Sequence, residues 1–447
     1  MIFTPGAGLR KNRVDWALFF AAMLLLAIGT IAVFSSVAVL PQQARIIRVQ
    51  LIAIPIALAV LAAAWSLNYQ IYQDQWKFVY GFILLILAGV LLFGVVDKGA
   101  RSWYRLPFFS IQPSEFARVG LILVLANFLD KRLGKIRELP TVLGAFALCV
   151  PVFLLLIKQP DFSAILITFP VALIMLFAAG ASVFHLSIIV GYGVISGLFP
   201  VLWSIISLNP ELLDNPLVGY FFHLSDSWGS ASLFVAAVTF GLWLLWRLSV
   251  QLYANVTGVY FAGAALVLIL GFFSGVLVKN QMKDYQQKRL EVFLSPETDP
   301  RGAGYNLLQA RIAIGSGGIF GRGIFSGTQS RLGFVPERHT DFILAVVGEE
   351  MGFWGMALVT GLYALLLRRI MQGARLARDR FGYLVNCGIF GMFLVYFCMN
   401  FGMLLGLTPV AGVPLPLVSY GGTALVTLFL GIGILMSINK HRKLVQT

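Results

Sequence analysis

Runs of apolar residues about as long as a membrane-spanning helix recur along the whole chain. A helix needs roughly 20 mainly apolar residues to cross a bilayer. Of the 447 residues, 59% are hydrophobic and only 12% are charged, which is too apolar for a soluble domain. The sequence therefore predicts an all-α polytopic membrane protein, a single membrane domain over residues 1–447, with about twelve transmembrane helices. The predicted spans are 15–37, 48–66, 77–96, 115–130, 140–157, 162–181, 184–206, 231–247, 256–278, 342–367, 384–407 and 418–438.

The basic residues predict how these helices are oriented. Lys and Arg cluster before the first predicted helix and after the fourth, tenth and last ones. An even number of helices brings all of these clusters to one side, so the positive-inside rule places both termini in the cytoplasm. The net charge of +14 is therefore interpreted as cations beside anionic lipid, and no nucleic-acid partner is expected. The clusters are Arg10, Lys11 and Arg13; Lys131, Arg132, Lys135 and Arg137; Arg368, Arg369, Arg375, Arg378 and Arg380; and Lys440, His441, Arg442 and Lys443.

The connection at 279–341 is long and is predicted to be extracytoplasmic. Its many Lys and Arg residues do not contradict this placement, because long loops escape the positive-inside rule. Apolar pieces such as LLQARIAIGSGGIFG, separated by glycines, predict short helices with tight turns folded back against the membrane. The cations could simply meet lipid headgroups. The acid and the glycines interspersed among them favour a built anion-binding site, and a connection this long is usually functional.

No metal or nucleotide site is predicted from residue spacing. The cysteines, Cys149, Cys387 and Cys398, all lie in apolar runs and offer neither a disulfide framework nor a CxxC site. The four histidines are dispersed without HExxH spacing. The Gly-rich run GSGGIFGRG lacks the P-loop pattern, so a nucleotide-binding loop is excluded.

Four stretches that the predicted topology places on one face could carry chemistry, and the first is GARSWYRLPFFSIQPSEFAR at 99–118. Arg101 and Trp103 precede a QPSE turn that opens the fourth helix, with Glu115 in its first turn. The alternative interpretation of this stretch is purely structural, a capped helix with an interfacial Trp anchor.

The second stretch is KQPDF at 158–162, which places Lys158 and Asp161 between two spans. An ionisable pair at membrane depth is costly and indicates a functional site by default. The structural alternative is a Lys158 that snorkels towards water and an Asp161 that caps the next helix.

The long loop and a Pro-rich stretch near the C-terminus complete the set. The loop holds Asp299 in SPETDPRGAGY and crowds charged residues around Arg338 and His339, just before a span, beyond what helix capping requires. The stretch LTPVAGVPLPLVSYGGT at 407–423 has almost no charge and predicts a broken or re-entrant segment, which at membrane depth must be buried in protein or line a cavity.

Together the four stretches predict a face suited to a phosphate-bearing substrate. Arg and Lys side chains would clamp a pyrophosphate leaving group and stabilise the charge that develops as its glycosidic bond breaks. Asp299 would take the proton from an attacking hydroxyl.

Several motifs, in the same order along the chain, resemble those of the SEDS family of membrane glycosyltransferases, which polymerise peptidoglycan from lipid II. The motifs are GARSW, IQPSEFAR, KQPDF, DPRGAGYNLLQARIAIGSGG, GTQSRLGFVPERHTDFILAVVGEEMG and GLTPVAGVPLPLVSYGG. The resemblance covers nearly the whole chain outside 207–280. The Arg–His pair in PERHTDF resembles the rod-shape, or elongation, branch of the family, with the division branch as its sister.

The resemblance implies a role for each candidate residue. Asp299 matches the family's essential loop acid, the general base for the acceptor sugar's 4-hydroxyl in an inverting transfer that forms a β-1,4 glycan and releases undecaprenyl diphosphate. The resemblance also implies a divalent cation (Mg²⁺ or Mn²⁺) near the pyrophosphates, a multi-pass location in the bacterial cytoplasmic membrane, and as partners a class B penicillin-binding protein and other elongation-complex membrane proteins. Substrate-binding roles are implied for Arg101, Trp103, Glu115, Arg118, Lys158, Asp161, Arg338, His339 and Ser419.

Two features depart from the family pattern. Arg118 stands where QPSEFAK of the family has Lys, which keeps the charge and changes the hydrogen-bond geometry. The family usually has ten spans, so the chain is predicted to carry a two-helix insertion at 207–280, which preserves the side on which the 279–341 loop lies. The insertion could dock a partner or simply face lipid.

Two other functions remain compatible with the sequence. A many-span protein with intramembrane charges and broken helices could be a transporter that flips lipid II, although a transporter has no need for a base outside the bilayer. A non-enzymatic scaffold that recruits a transpeptidase is the second, and it predicts that the loop acids are dispensable.

Overall fold

The computed structural model describes residues 14–97, 100–106, 109–225, 228–252, 256–282, 284–295, 297 and 303–441. Most of the described chain is helical, as the apolar runs predict. The helices are α1 (Trp16–Val37), α2 (Gln43–Ser66), α3 (Gln70–Asp74), α4 (Trp76–Phe93), α5 (Pro113–Lys131), α6 (Leu139–Lys158), α7 (Phe162–Ala179), α8 (Val183–Leu208), α9 (Pro216–Phe222), α10 (Trp228–Gln251), α11 (Gly258–Gln281), α12 (Asp284–Leu294), α13 (Ala303–Gly317), α14 (Thr328–Arg331), α15 (Ile343–Leu376), α16 (Arg380–Leu405) and α17 (Gly422–Lys440).

Eleven helices in the described part of the chain are long and apolar enough to cross a membrane. The remaining predicted span corresponds to α5, which is apolar in its middle and carries Glu115 and Arg118 near its start and Asp130 and Lys131 at its end. This helix is buried along almost its whole length, so its charged first turns lie inside protein. The prediction of about twelve transmembrane helices agrees with these elements.

The chain divides into two compact units, one made of residues 1–181 and 306–447 and the other of residues 182–305. In the first unit, α5 lies at the centre and packs against α4, α6, α7, α16 and α17. Small residues permit the close approaches: a Cβ on Gly388 of α16 would lie 2.5 Å from Ile122 of α5 and 2.9 Å from Met175 of α7. Close packing over small residues is how helices associate in membranes, where lipid removes the hydrophobic drive.

A short antiparallel sheet precedes α5 and was not predicted by the all-α interpretation. Its strands are β1 (Val95–Asp97), β2 (Ala100–Arg105) and β3 (Ser110–Ile111), in the order β1-β2-β3. The Tyr104 hydroxyl on β2 donates to the carbonyl of Ile86 in α4, 3.0 Å away. The sheet is thereby fixed to the membrane helices at the entrance to α5.

The long connection contains short helices, as its apolar and Gly-rich pieces predict. After α11 ends at Gln281, the described residues form α12, α13 and α14 before α15 begins. Tight turns occur where glycine adopts positive φ, at Gly318, Gly321, Gly323 and Gly333.

In the second unit, α8 packs along α11 around an aromatic cluster. The cluster contains Phe199, Trp203, Leu224 and Phe272, each buried. The Lys279 ammonium at the end of α11 lies 3.8 Å from the centre of the Trp203 ring, within cation–π range. The stretch 207–280 thus holds α9, α10 and α11, and its status as an insertion stays a prediction.

Candidate functional site

Glu115 and Arg118 form a buried ion pair at the start of α5. Arg118 Nη1 lies 2.6 Å from Glu115 Oε2, and the two residues are 5% and 7% exposed, respectively. The helix begins at Pro113, which supplies the fixed φ of a first helical position, so these side chains fall one turn apart on the same face. The predicted QPSE helix start is therefore correct, and its acid is paired as well as favoured by the helix dipole.

Tyr396 of the neighbouring helix α16 is hydrogen-bonded to both members of this ion pair. Its hydroxyl donates to Glu115 Oε2 at 3.2 Å, and Arg118 Nη1 donates to the same hydroxyl. The Arg118 guanidinium also lies 5.3 Å from the centre of the Tyr396 ring. Arg118 Nε has no hydrogen-bond partner among the described residues, which leaves one donor of this buried cation unused.

Asp161 joins the start of α7 to the start of α5. Its Oδ1 accepts the N-cap hydrogen bond from the Ala164 backbone N–H at 3.2 Å, as the capping alternative predicted. Its Oδ2 accepts from Ser114 Oγ at 2.7 Å and from Gln112 Nε2 at 3.0 Å. The carboxylate therefore caps one helix and orders the first turn of another.

Buried charge is concentrated where these helices meet. Glu115, Arg118 and Asp161 are all at most 9% exposed, and two acids share one cation there. Such charges persist inside protein only when hydrogen bonds and opposite charges compensate for lost water. The structure provides these from Tyr396, Ser114 and Gln112; we name the six residues the charged cluster.

The segment 407–421 runs between α16 and α17 without helix or strand, as its prolines and glycines predict. Side chains on surrounding elements hold its backbone: Ser163 Oγ donates to Ala411 O at 2.6 Å, and Asn400 Nδ2 donates to Val413 O at 2.8 Å. Ser419, which belongs to the segment, donates through Oγ to the carbonyl of Thr340 before α15, 2.6 Å away. Most of this irregular backbone from Val413 to Ser419 is thus buried in protein, the condition for its tolerance at membrane depth.

Hydrogen bonds connect this segment's end to the charged cluster. Thr423, at the start of α17, donates through Oγ1 to Ser110 O at 2.6 Å and accepts from the Gln112 backbone N–H at 3.2 Å. Gln112 in turn reaches Asp161 through its side chain. The small sheet, α5, α7 and α17 are therefore tied together at one place.

Arg338 and His339 lie just before α15. Arg338 is 4% exposed and donates from Nε to Ser36 O at 2.6 Å, and burial lowers the pKa of its guanidinium. His339 is half-buried, its carbonyl accepts from the Tyr420 N–H at 2.9 Å, and its ring centre lies 5.5 Å from that of Tyr420. The pair therefore lies against α1 on one side and the 407–421 segment on the other.

The other predicted site residues are more exposed or lie outside the described chain. Arg101 on β2 is exposed and donates to Leu91 O at 3.1 Å, while Trp103 on the same strand is half-buried and pairs with Val95. Lys158 is exposed at the end of α6, consistent with the snorkelling alternative. Asp299 lies outside the described residues.

Several site residues were missed from the sequence. Tyr396 was counted only as part of an apolar span, because nothing in one sequence indicates which residue of a neighbouring helix will face Glu115. Asn400 carried a usable signal, since an isolated amide in a span marks a position that needs partners. The adjacent acids Glu349 and Glu350 inside α15 gave the same signal.

The described residues provide no metal-ligand set. No group of three or more His, Cys, Asp or Glu side chains lies together in the described part of the chain. Asp299 is among the acids outside the described residues, and the divalent cation that the resemblance implies stays a prediction.

Comparison with known proteins identifies the family. The cell cycle proteins FtsW, RodA and SpoVE form a family that matches residues 15–211 and 224–444. The chain belongs to this family, the SEDS family. The chain is similar to the peptidoglycan glycosyltransferase MrdB of Escherichia coli K12, with 32% identity over 98% of this chain and 96% of MrdB. The peptidoglycan glycosyltransferase RodA of Treponema pallidum is 33% identical over 96% of this chain and 98% of that protein.

The probable peptidoglycan glycosyltransferase FtsW of Trichlorobacter lovleyi is also similar, at 30% identity over 97% of this chain and 95% of its own length. The elongation-branch resemblance predicted from PERHTDF agrees with MrdB and RodA among these relatives. Like other SEDS proteins, this chain is a multi-pass protein of the bacterial cytoplasmic membrane.

Solved structures support the fold. A chain from a peptidoglycan synthase complex that coordinates polymerization and crosslinking superposes with a TM-score of 0.67 at 26% identity, covering 96% of this chain and 98% of that chain. RodA of Thermus thermophilus superposes with a TM-score of 0.59 at 24% identity, covering 97% and 98%. The all-α SEDS fold predicted from the sequence is therefore confirmed.

Proposed function

We propose that this chain is a peptidoglycan glycosyltransferase that polymerises lipid II into β-1,4 glycan strands during cell elongation. Relatives that bear the name peptidoglycan glycosyltransferase cover nearly the whole chain. The observation that carries the proposal is the charged cluster, in which Glu115, Arg118 and Asp161 are buried among helices of a membrane protein. Charges are retained at such positions mainly for function, because their burial is costly.

The reaction needs a base, a cationic clamp and a leaving group. The acceptor sugar's 4-hydroxyl oxygen attacks the anomeric carbon of the donor, and the bond from that carbon to the pyrophosphate oxygen breaks with its electron pair leaving on oxygen. Asp299 takes the hydroxyl proton, and undecaprenyl diphosphate departs. One acid suits this inverting displacement, whereas a retaining mechanism would need a nucleophile as well.

Cations would hold the pyrophosphates of the two lipid-linked substrates. Arg118 retains an unused Nε donor, and Arg338 is buried with carbonyl oxygens as its described partners. Arg101 and Lys158 are exposed and could extend towards substrate phosphates. A Mg²⁺ or Mn²⁺ ion bound with the substrate would supply further charge stabilisation to the leaving pyrophosphate.

A class B penicillin-binding protein is the proposed partner, crosslinking the strands that this chain makes. The similarity to a chain of a synthase complex that coordinates polymerization and crosslinking supports this pairing. Other membrane proteins of the elongation complex would join the same assembly.

The test is glycan-strand synthesis from labelled lipid II by the purified protein, alone and with its cognate transpeptidase, in the presence of Mg²⁺ or Mn²⁺. We expect polymer from the wild type and none from Asp299→Asn, because the amide cannot accept the hydroxyl proton. Glu297→Gln, two residues away and exposed, is the matched control and should retain activity.

Lipid II binding and the unfolding temperature of Asp299→Asn decide how a negative result is interpreted. Loss of polymerisation with both preserved supports the base assignment, and loss of folding as well contradicts it. Absence of polymer from the wild type under all of these conditions would favour a lipid II transporter or a scaffold instead.

A further inference from the structure

Helix α15 is broken two residues after its acidic pair, Glu349 and Glu350. Gly352 has φ +64° and ψ −157°, which is incompatible with helix and open to glycine alone without strain. In an unbroken helix the N–H groups of Phe353 and Trp354 would donate to the carbonyls of Glu349 and Glu350. The break frees all four groups inside a membrane-spanning helix, where unsatisfied backbone is costly.

The segment 318–330, which we name the clamp segment, occupies this break. The N–H of Phe353 donates to Gly318 O at 2.9 Å and that of Trp354 to Ile319 O at 3.4 Å. In return, Glu349 O accepts from Arg322 N and Glu350 O accepts from Gly323 N, each at 3.0 Å. The clamp segment therefore replaces the missing hydrogen bonds of the opened helical turn.

Glycine allows the two backbones to approach this closely. A Cβ on Gly321 would lie 2.2 Å from Glu350 O, and one on Gly352 would lie 2.3 Å from Gly321 N. Real Cβ atoms do not tolerate such distances, so both positions require glycine for contact and for positive φ.

The two acidic side chains hold the remainder of the clamp segment. Glu349 is fully buried, and its carboxylate accepts from Gln329 N at 2.7 Å, Ser330 N at 2.8 Å and Thr328 Oγ1 at 3.2 Å. It thus caps the N-terminus of α14 from outside the segment. An ionised acceptor that receives several N–H bonds is among the strongest hydrogen-bonding arrangements in proteins.

Glu350 joins the clamp segment to α1. The backbone N–H groups of Phe325 and Gly327 lie beside its carboxylate, which accepts a hydrogen bond from the Ser35 hydroxyl. The next residue of α1, Ser36, accepts through its carbonyl from Arg338 Nε at 2.6 Å. The end of α1 therefore contacts both Glu350 and Arg338. Arg338 lies eight residues beyond the end of the clamp segment.

We infer that Glu349 and Glu350 are positioning residues that fix the clamp segment in the opened turn of α15 and so set the place of Arg338 for glycosyl transfer. They contact no proposed substrate group and act through the loop that they hold. This inference rests on the proposed glycosyltransferase function.

The test uses Glu349→Gln and Glu350→Gln, which keep shape and remove the charge. A glutamine presents one acceptor oxygen and an N–H₂ group, and the N–H₂ group cannot accept from a backbone N–H, so a bond to the clamp segment is lost. Glu138→Gln, an exposed acid before α6, is the matched control. Thr328→Val removes one hydrogen bond to Glu349, together with the bond that Arg322 Nη1 donates to the same hydroxyl, and leaves both backbone N–H bonds to Glu349 in place. It is the milder variant if the Gln variants fail to fold.

Hydrogen exchange and kinetics are measured on the full-length protein in the same detergent. We expect faster exchange in residues 318–330 with α5 and α16 unchanged, and a fall in kcat for lipid II polymerisation of about tenfold or more, the loss of one hydrogen bond to a charged group. KM should change little, because Arg101, Arg118 and Lys158, the other proposed phosphate-binding cations, lie outside the clamp segment. Thr328→Val should shift both readouts in the same direction by less.

Two results would overturn the inference. One is unchanged exchange in residues 318–330, which would mean that the carboxylates do not hold the segment. The other is faster exchange with wild-type kcat, which would mean that the clamp is purely structural. Because exchange needs no catalysis, an inactive wild type would count against the proposed function and leave the exchange result to decide the clamp.

Discussion

The two nitrogens of Arg118 that the structure distinguishes, Nη1 and Nε, differ in whether they are hydrogen-bonded. Its Nη1 is committed to Glu115 and Tyr396, whereas its Nε has no partner among the described residues. Sequence similarity implied a substrate-binding cation, and the structure adds that most of its charge is already compensated. Arg118 can therefore orient Glu115 and Tyr396 as well as contact a phosphate.

We predict that Arg118→Met destabilises the protein more than the double substitution Glu115→Gln/Arg118→Met. Removing the cation alone leaves a buried carboxylate unpaired, which costs about 3–5 kcal/mol, whereas removing both charges leaves a neutral amide that Tyr396 can still bond. Unfolding in detergent, followed by denaturant titration, measures the difference. A double variant that is less stable than Arg118→Met would show that the two charges are not a coupled pair.

At the scale of elements, glycines set how closely helices approach the irregular segment 407–421. A Cβ on Gly29 of α1 would lie 2.4 Å from the backbone of Val418 in that segment. Gly81 of α4 faces open space, with nothing within 4 Å of a Cβ. The two glycines occupy similar helical positions and differ in what their side chain would meet.

We predict that Gly29→Ala destabilises the protein by about 1–3 kcal/mol, since the added methyl group must push α1 away from rigid backbone. Gly81→Ala should be neutral or stabilising by up to about 1 kcal/mol, because alanine is the better helix former. Unfolding temperatures of the two variants, with glycan synthesis measured alongside, test this. Equal effects from both substitutions would show that α1 does not pack on the segment as described.

Helices were predictable from sequence to different degrees, for physical reasons. Apolar runs predicted the spans because lipid leaves the backbone few alternatives to a helix. The sheet at 95–111 was missed, since its strands are only two to six residues long. The break at Gly352 was missed because the partner that satisfies it, the clamp segment, is distant in sequence. The 407–421 segment was predicted because its prolines and glycines exclude a helix locally.

The candidate site was likewise predicted in part from the sequence and missed in part. Asp161 and Glu115 were identifiable because acids at helix starts between apolar runs are conspicuous in a single sequence. Their partners Tyr396, Ser114 and Gln112 were not identified, since which helices face one another depends on packing of the whole bundle. Sequence analysis thus found charges and missed the neutral groups that satisfy them.

For the whole molecule, the distribution of Lys and Arg predicts that both termini are cytoplasmic and that the 279–341 connection is extracytoplasmic. The proposed reaction depends on this, because Asp299 must meet lipid-linked substrates outside the cell. Two exposed positions on opposite predicted sides can report it. Phe320, in the clamp segment, is 83% exposed. Gly134, in the turn after α5, is exposed with no neighbour within 4 Å of a Cβ.

We predict that Phe320→Cys is labelled by a membrane-impermeant maleimide in intact spheroplasts and that Gly134→Cys is labelled only after permeabilisation. The native cysteines Cys149, Cys387 and Cys398 are first replaced by alanine, and the cysteine-free protein serves as the control. Retained glycan synthesis in each variant establishes that the labelled protein is folded. Labelling of Gly134→Cys from outside, with Phe320→Cys protected, would reverse the topology. It would place Asp299 in the cytoplasm, where it could not act on an extracytoplasmic glycan strand.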